Sequence, residues 1–282
     1  MIFSNSKNPF LCLLLTVVVL LSSCHGSTPD TEQVPTDSVL EAEEEFVDSL
    51  MLYDDEPEPE TADMLFADFF YAFTTDSRYQ LQRVSFPLTS AKGDGESMTQ
   101  AEWKERGAFE PQEFYAVIYD RETDMAAQND TSVHAVAVDH INLLQQTMDR
   151  YHFQRVQGKW MLTDYDAKSI THSPQGSFLE FYSQFANDTL FQRQSIDFPL
   201  RLVSEAGDEE EGGETELTEE EWPEFRDQMP LPTSTMTAID YGQAALSENR
   251  KILLMEGLSN SLFVKYKFDR TDGRWQLYEI DF

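Results

Sequence analysis

Asp139 and His140 stand side by side, and a carboxylate with an imidazole is a common pairing for moving a proton. The run before them, Val133-His134-Ala135-Val136-Ala137-Val138, has the period-two character of a strand but no clean polar face. Neighbouring side chains on a strand point to opposite faces, so Asp139 and His140 cannot form a dyad with each other. Tyr71, Tyr115, Tyr119, Tyr182 and Tyr241 could donate hydroxyl hydrogen bonds into a cavity, and Trp103 and Trp222, each preceded by a glutamate, could line its mouth. Apart from Tyr115, these aromatics and His140 form the candidate binding set; packing in a core or a seam is the competing reading for each. The chain has no Gly-x-Ser-x-Gly, His-Glu-x-x-His, phosphate-loop or calcium-loop spacing. His25, His134, His152 and His172 are not at metal-ligand spacing either. No catalytic residue set, cofactor or metal is therefore expected.

The clearest covalent chemistry lies near the N-terminus. Lys7 precedes an apolar run over residues 10–21, which has the length of a signal-peptide core and is short for a membrane span. The run ends in Leu21-Ser22-Ser23-Cys24, an aliphatic residue, two small residues and a cysteine, which is the pattern of a bacterial lipobox. In this reading residues 1–23 are cleaved, the Cys24 thiol carries a diacylglyceryl group, and acyl chains hold the mature chain on a membrane. Cys12 would leave with the signal, so no thiol would remain for a disulfide, a metal site or cysteine catalysis. His25-Gly26-Ser27 places no aspartate after the anchor, which points to the bacterial envelope and to the periplasmic face of the outer membrane, with surface exposure as the other outcome.

Residues 1–23 hold one of the 20 Lys and Arg and none of the 52 Asp and Glu, so the mature chain would have a formal charge of −33. Such a field repels phosphate backbones and excludes nucleic acid as a partner. Residues 24–61 are rich in Thr, Pro, Asp and Glu and read as an acidic tether, with a short amphipathic helix near 41–52 as a possible interruption. Asp208 to Glu214 reads as a solvated acidic loop.

The elements that must position the candidate residues occur twice. Phe66-Ala67-Asp68-Phe69-Phe70-Tyr71-Ala72-Phe73 aligns with Phe178-Leu179-Glu180-Phe181-Tyr182-Ser183-Gln184-Phe185 at an offset of 178 − 66 = 112, and Gln80 and Phe86-Pro87-Leu88 follow in step with Gln192 and Phe198-Pro199-Leu200. Glu102-Trp103 matches Glu221-Trp222, and Tyr151 to Leu162 matches Tyr266 to Leu277. Three blocks in the same order indicate duplication, dividing the chain into residues 62–170 and 173–282. Each copy opens on an aromatic stripe at i, i+3, i+4 and i+7, which predicts a helix. Ser173-Pro174 is expected to begin the second one. A second helix is expected over 79–84 and 190–196, stopped by Pro87 and Pro199, and a third over 98–106 and 217–226. The rest is strand-like, closing on hairpins at Gln157-Gly158 and Asp272-Gly273. The fold class is α+β, with helices packed on an antiparallel sheet.

The ending aromatic-x-aromatic-x-Arg…Gly-(Lys/Arg)-Trp-x-Leu resembles the NTF2-like (cystatin-like) cone. Together with the paired Gln-x-x-x-(Val/Ile)-x-Phe-Pro-Leu and Glu-Trp blocks, it is similar to a family of bacterial lipoproteins with two tandem NTF2-like domains. The resemblance implies a curved sheet around a long helix, with a cavity that is open or filled by side chains. Some NTF2-like enzymes place Asp, His and Tyr there for proton transfer. The second copy has Glu256-Gly257 where Asp139-His140 is expected to align, so no acid–base set is shared. A noncatalytic envelope module that binds a small molecule, peptide or protein partner is the preferred expectation. The alternatives are an NTF2-like isomerase, dehydratase or hydrolase using His140 or Asp139 with a tyrosine, and a structural component of the envelope.

Overall fold

The computed structural model describes residues 63–107, 109–204, 212–243 and 247–282. The signal, Cys24, the tether with its expected short helix, and residues 205–211 of the acidic insertion lie outside the described residues.

The first half runs α1 (Phe66–Thr75), α2 (Ser77–Gln82), β1 (Val84–Ser90), β2 (Ser97–Met98), α3 (Gln100–Arg106), β3 (Phe114–Tyr119), a 3₁₀ segment (Glu122–Asn129), β4 (Ala135–Asn142), β5 (Thr147–Val156) and β6 (Lys159–Ser169). After a 3₁₀ turn (Ile170–His172) the second half repeats the order as α4 (Gly176–Asn187), α5 (Thr189–Gln194), β7 (Ile196–Ser204), β8 (Gly213–Leu217), α6 (Trp222–Arg226), β9 (Thr235–Asp240), β10 (Arg250–Gly257), β11 (Phe263–Thr271) and β12 (Arg274–Asp281).

Local chemistry explains the repeat. Asp76 accepts hydrogen bonds from the backbone N–H of Arg78 and Tyr79, and Asp188 from those of Leu190 and Phe191, so α2 and α5 begin two residues and one residue earlier than apolar spacing suggests. Neither proline stops these helices. Pro87 and Pro199 lie inside β1 and β7, within register breaks opposite β6 and β12, where the missing N–H removes no ladder bond; both Phe-Pro bonds are cis. The Thr99–Glu102 capping box starts α3. Thr218 donates its N–H and Oγ1–H to the Glu221 carboxylate as Thr99 does to that of Glu102, but the Glu221 N–H bonds to the Thr218 carbonyl oxygen and α6 begins only at Trp222. Ser173-Pro174 precedes α4 rather than starting it; the helix opens on Gly176, where a Cβ would lie 2.9 Å from the Ile170 carbonyl oxygen. Part of the expected acidic loop is strand, since Glu214 pairs with Val203 on β7. Gln157-Gly158 and Asp272-Gly273 have positive φ throughout, as two-residue hairpin turns require.

All strands join one sheet in the order β2-β1-β6-β5-β4-β9-β3-β10-β11-β12-β7-β8. The pairing is not purely antiparallel: β1/β6, β7/β12 and β3/β9 are parallel. The order contains a reciprocal exchange, in which β9 of the second half pairs with β4 of the first and β3 of the first pairs with β10 of the second. The registers match, because Ala137↔Asp240 in one pairing corresponds to Ile252↔Tyr119 in the other. The described residues lie in one compact unit, and its sheet crosses the boundary expected near residues 170–173.

The exchange puts the two helical layers on opposite faces of the sheet. Tyr115, Val117 and Tyr119 of β3 pack into a core with α1, while Ala116 and Ile118 pack into a core with α4. The central strands β4, β9, β3 and β10 are consequently buried on both sides over most of their length, which is why Val136, Ala137 and Val138 show no polar face. In the first core Phe66, Phe69 and Phe73 pack on Phe153 and Trp160; in the second, Phe178 and Phe185 pack on Phe268, with Trp275 against Phe178. No helix among the described residues is long and apolar enough to cross a membrane.

Candidate functional site

A half-open cleft of about 870 Å³ lies where the exchanged strands meet, bounded by His140 and Asn142 of β4, Phe114 of β3, Thr237 of β9, Met255 of β10 and the segment from Met229 to Ser234. Both halves therefore build its walls. His140 faces Asp149 across the β4–β5 ladder and Thr237 across β4–β9. Its ring packs against Phe109 at 4.5 Å and Tyr151 at 5.1 Å between centroids. Among the described residues its Nε2 has no hydrogen-bond partner. Burial lowers its pKa to about 4, with the Asp149 carboxylate acting weakly in the other direction, so the imidazole is neutral at neutral pH. Asp149 is engaged by Arg106 from the end of α3 in a half-exposed ion pair.

Asp139 points to the other face. Arg150 grips it through two bonds of 2.7 Å and reaches Asp240 at 3.0 Å. Burial pushes the Asp139 carboxyl above its ordinary pKa, against the pull of Arg150. The two neighbours thus serve separate surroundings, as strand alternation requires. In the second half the ladder equates His140 with Met255, not with Glu256 or Gly257, because Met255 faces Val264 across β10–β11 as His140 faces Asp149 across β4–β5. The equivalent positions are Leu254 and Met255, two residues before the Glu256-Gly257 expected from the sequence.

Tyr119 and Tyr241 do come together, in the first core beside Tyr115 and Glu256. Tyr115 and Glu256 are register partners on β3 and β10, and Gln128 donates to the Glu256 carboxylate at 2.5 Å. Burial, with Glu256 nearby, raises the pKa of all three tyrosines, so they remain protonated donors. The Tyr119 hydroxyl has no hydrogen-bond partner among the described residues. Phe66 and Phe70 close the helical side of this cluster against Tyr241 and Tyr115.

The other candidates are placed elsewhere. Tyr71 is 43% exposed on the outer side of α1, one residue past the buried Phe70. Tyr182 is fully buried and donates to the Pro232 carbonyl oxygen at 3.2 Å. Trp103 and Trp222 do not lie at a mouth; both are core residues whose indole N–H groups bond to Gln80 and Gln192. Sequence reading missed Arg106, Asp149, Thr237 and Glu256. Asp149 was legible in principle, since a short turn after Asn142 folds it back opposite His140, whereas Thr237 and Glu256 arrive through the strand exchange. Among the described residues no group of three or more His, Cys, Asp or Glu side chains converges as a metal site.

No curated protein matches the chain. A crystal structure of an NTF2-like protein from Bacteroides fragilis NCTC 9343 matches with a TM-score of 0.69 and 32% identity, over 80% of this chain and 98% of that one. A family model described as a domain of unknown function, DUF4348, matches residues 46–281. The chain belongs to the DUF4348 family and has an NTF2-like fold.

Proposed function

We propose that the protein is a lipid-anchored, noncatalytic binding module of the bacterial envelope, built from a duplicated NTF2-like unit and using the His140 cleft. The observation that carries the reading is the protonation and pairing within that cleft. Its imidazole is held neutral with a pKa of about 4, a poor base near neutrality, and the carboxylate opposite is committed to Arg106. What the cleft offers is recognition: the hydroxyl of Thr237 and the amide of Asn142 beside apolar Phe114 and Met255, with the neutral His140 in its wall. A small polar molecule or a short peptide with an apolar side fits that lining.

The test is a thermal-shift screen of the full chain with sugars, amino acids and short peptides, followed by calorimetry on His140→Met, which installs the residue of the equivalent second-half position. A ligand whose binding weakens at least tenfold in the variant supports the reading. Turnover of any bound compound, or ligands indifferent to the substitution, sinks it. The anchor is tested separately. Metabolic labelling with an alkynyl fatty acid should mark the wild-type chain and not Cys24→Ala; an unlabelled wild type contradicts the anchor.

A further inference from the structure

The two halves build the same aromatic frame and fill it differently. In the first half Phe69 lies 6.1 Å from Tyr79 and 6.4 Å from Trp160, the latter at 34°. In the second half Phe181 lies 5.9 Å from Phe191 and 6.2 Å from Trp275, the latter at 32°. The backbone around the two frames also coincides: Leu162 N–H donates to the Arg83 carbonyl oxygen and Leu277 N–H to that of Ser195, both at 2.8 Å.

Arg83 occupies the first frame. It is buried, with its guanidinium carbon 4.6 Å from the Tyr79 ring centre and 5.9 Å from that of Phe69. The same group donates to both Asp63 carboxylate oxygens and to the Trp160 carbonyl oxygen. At the corresponding position the second half has Ser195, and a groove of about 990 Å³ opens there between α4 and the β11–β12 hairpin, with Ser195, Phe181, Phe191 and Trp275 among its walls.

We propose that this groove receives the arginine side chain of a basic partner segment, with its guanidinium placed against Phe191 and Phe181 as that of Arg83 is against Tyr79 and Phe69. Three observations favour a guanidinium as the occupant. The first half shows such a frame around one, where the Asp63 carboxylate also pairs with it. The rings supply cation–π faces, for which a planar, weakly hydrated cation is better suited than an ammonium group. Glu180 and Asp272 line the groove, and the chain as a whole has a formal charge of −32, which steers cations towards it. Arg270 and Arg274 also line the groove, but the first half keeps Arg155 and Lys159 at the matching positions and still holds Arg83. Arg155 there sits over Trp160 at 4.9 Å and donates to the Met64 carbonyl oxygen; Arg270 sits over Trp275 at 5.9 Å and donates its Nε–H to the Gly273 carbonyl oxygen of its own hairpin. The inference concerns a different surface from the His140 cleft and does not depend on it.

The experiment titrates the full chain with three capped tripeptides, Gly-Arg-Gly, Gly-Lys-Gly and Gly-citrulline-Gly, by calorimetry at physiological salt. The arginine peptide should bind at least tenfold more tightly than either counterpart. Ser195→Arg, which fills the frame from within, should abolish that preference, and Phe191→Ala should reduce it at least fivefold in a chain whose first frame is untouched. Equal binding of the arginine and lysine peptides overturns the proposal. So does a preference that survives both substitutions, or an absence of binding up to millimolar peptide.

Discussion

Trp103 donates its indole N–H to Oε1 of Gln80 at 2.9 Å, while Nε2 of the same glutamine donates to the carbonyl oxygens of Phe73 and Phe109, each at 3.0 Å. Trp222, Gln192 and Phe185 repeat the arrangement. One amide thus joins the first helix, the second helix and the tryptophan helix of each half. Gln80→Leu leaves a buried indole N–H and two carbonyl groups without their partner, and should cost about 2 kcal/mol. Gln192→Leu should cost a similar amount. Urea denaturation of the two variants measures this, and a change below about 0.5 kcal/mol would remove the bond from the account of the core.

His140 predicts a pH dependence. Its folded pKa of about 4 lies below the ordinary value of 6.5. Above pH 6.5 it is neutral in both states and adds nothing to the pH dependence of stability. As pH falls from 6.5 towards 4 the unfolded chain takes up a proton that the folded chain refuses, and stability declines by up to roughly 3 kcal/mol. His140→Met should remove that component, so the stability difference between wild type and variant should shift in favour of the variant between pH 7 and 4. Parallel stability profiles for the two proteins would show that the ring is freely protonated in the fold.

Tyr119 is a buried hydroxyl without a hydrogen-bond partner among the described residues. Tyr119→Phe should therefore be neutral or stabilising by up to about 1 kcal/mol, because removing an unsatisfied polar group relieves its desolvation. A loss of more than about 1 kcal/mol in thermal or urea unfolding would mean that the hydroxyl is hydrogen-bonded in solution.

Lys251 of β10 and Asp120, the residue after β3, form a buried ion pair, one from each half, and Asp120 also accepts from the Ser247 backbone N–H. Lys251→Met removes the buried cation that faces the carboxylate and should cost about 3 kcal/mol. The double variant Lys251→Met, Asp120→Leu should recover part of that loss. A double variant less stable than the single one would show that the carboxylate stabilises the fold by itself.

The aromatic stripes were legible because four rings at helical spacing have one way to be buried together, and the hairpins because Gln157-Gly158 and Asp272-Gly273 suit positive φ at both turn positions. The strand exchange was not legible. Which strand lies beside β4 depends on partners about a hundred residues apart, and β3 and β9 carry the same kind of apolar pattern, so either would satisfy the local signal. The one hint was the missing polar face at residues 136–138, which reports burial on both sides and not the identity of the neighbour. At the site, His140 was visible by residue type, but its cleft was not, since Thr237 and Met255 reach it only through the exchange. The contrast between Arg83 and Ser195 was present in a gapless stretch of the repeat and acquires meaning only once the rings around each are known.

Reciprocal completion of the sheet by β3 and β9 underlies the double-sided core and the cleft alike. Its most direct test is to produce residues 62–170 and 173–282 separately and together, and to follow mass and folding by light scattering and circular dichroism. The account predicts that each piece alone aggregates or lacks a cooperative melt, and that the two together form a one-to-one complex with a single transition. Two pieces that each fold as stable monomers and ignore one another would contradict it.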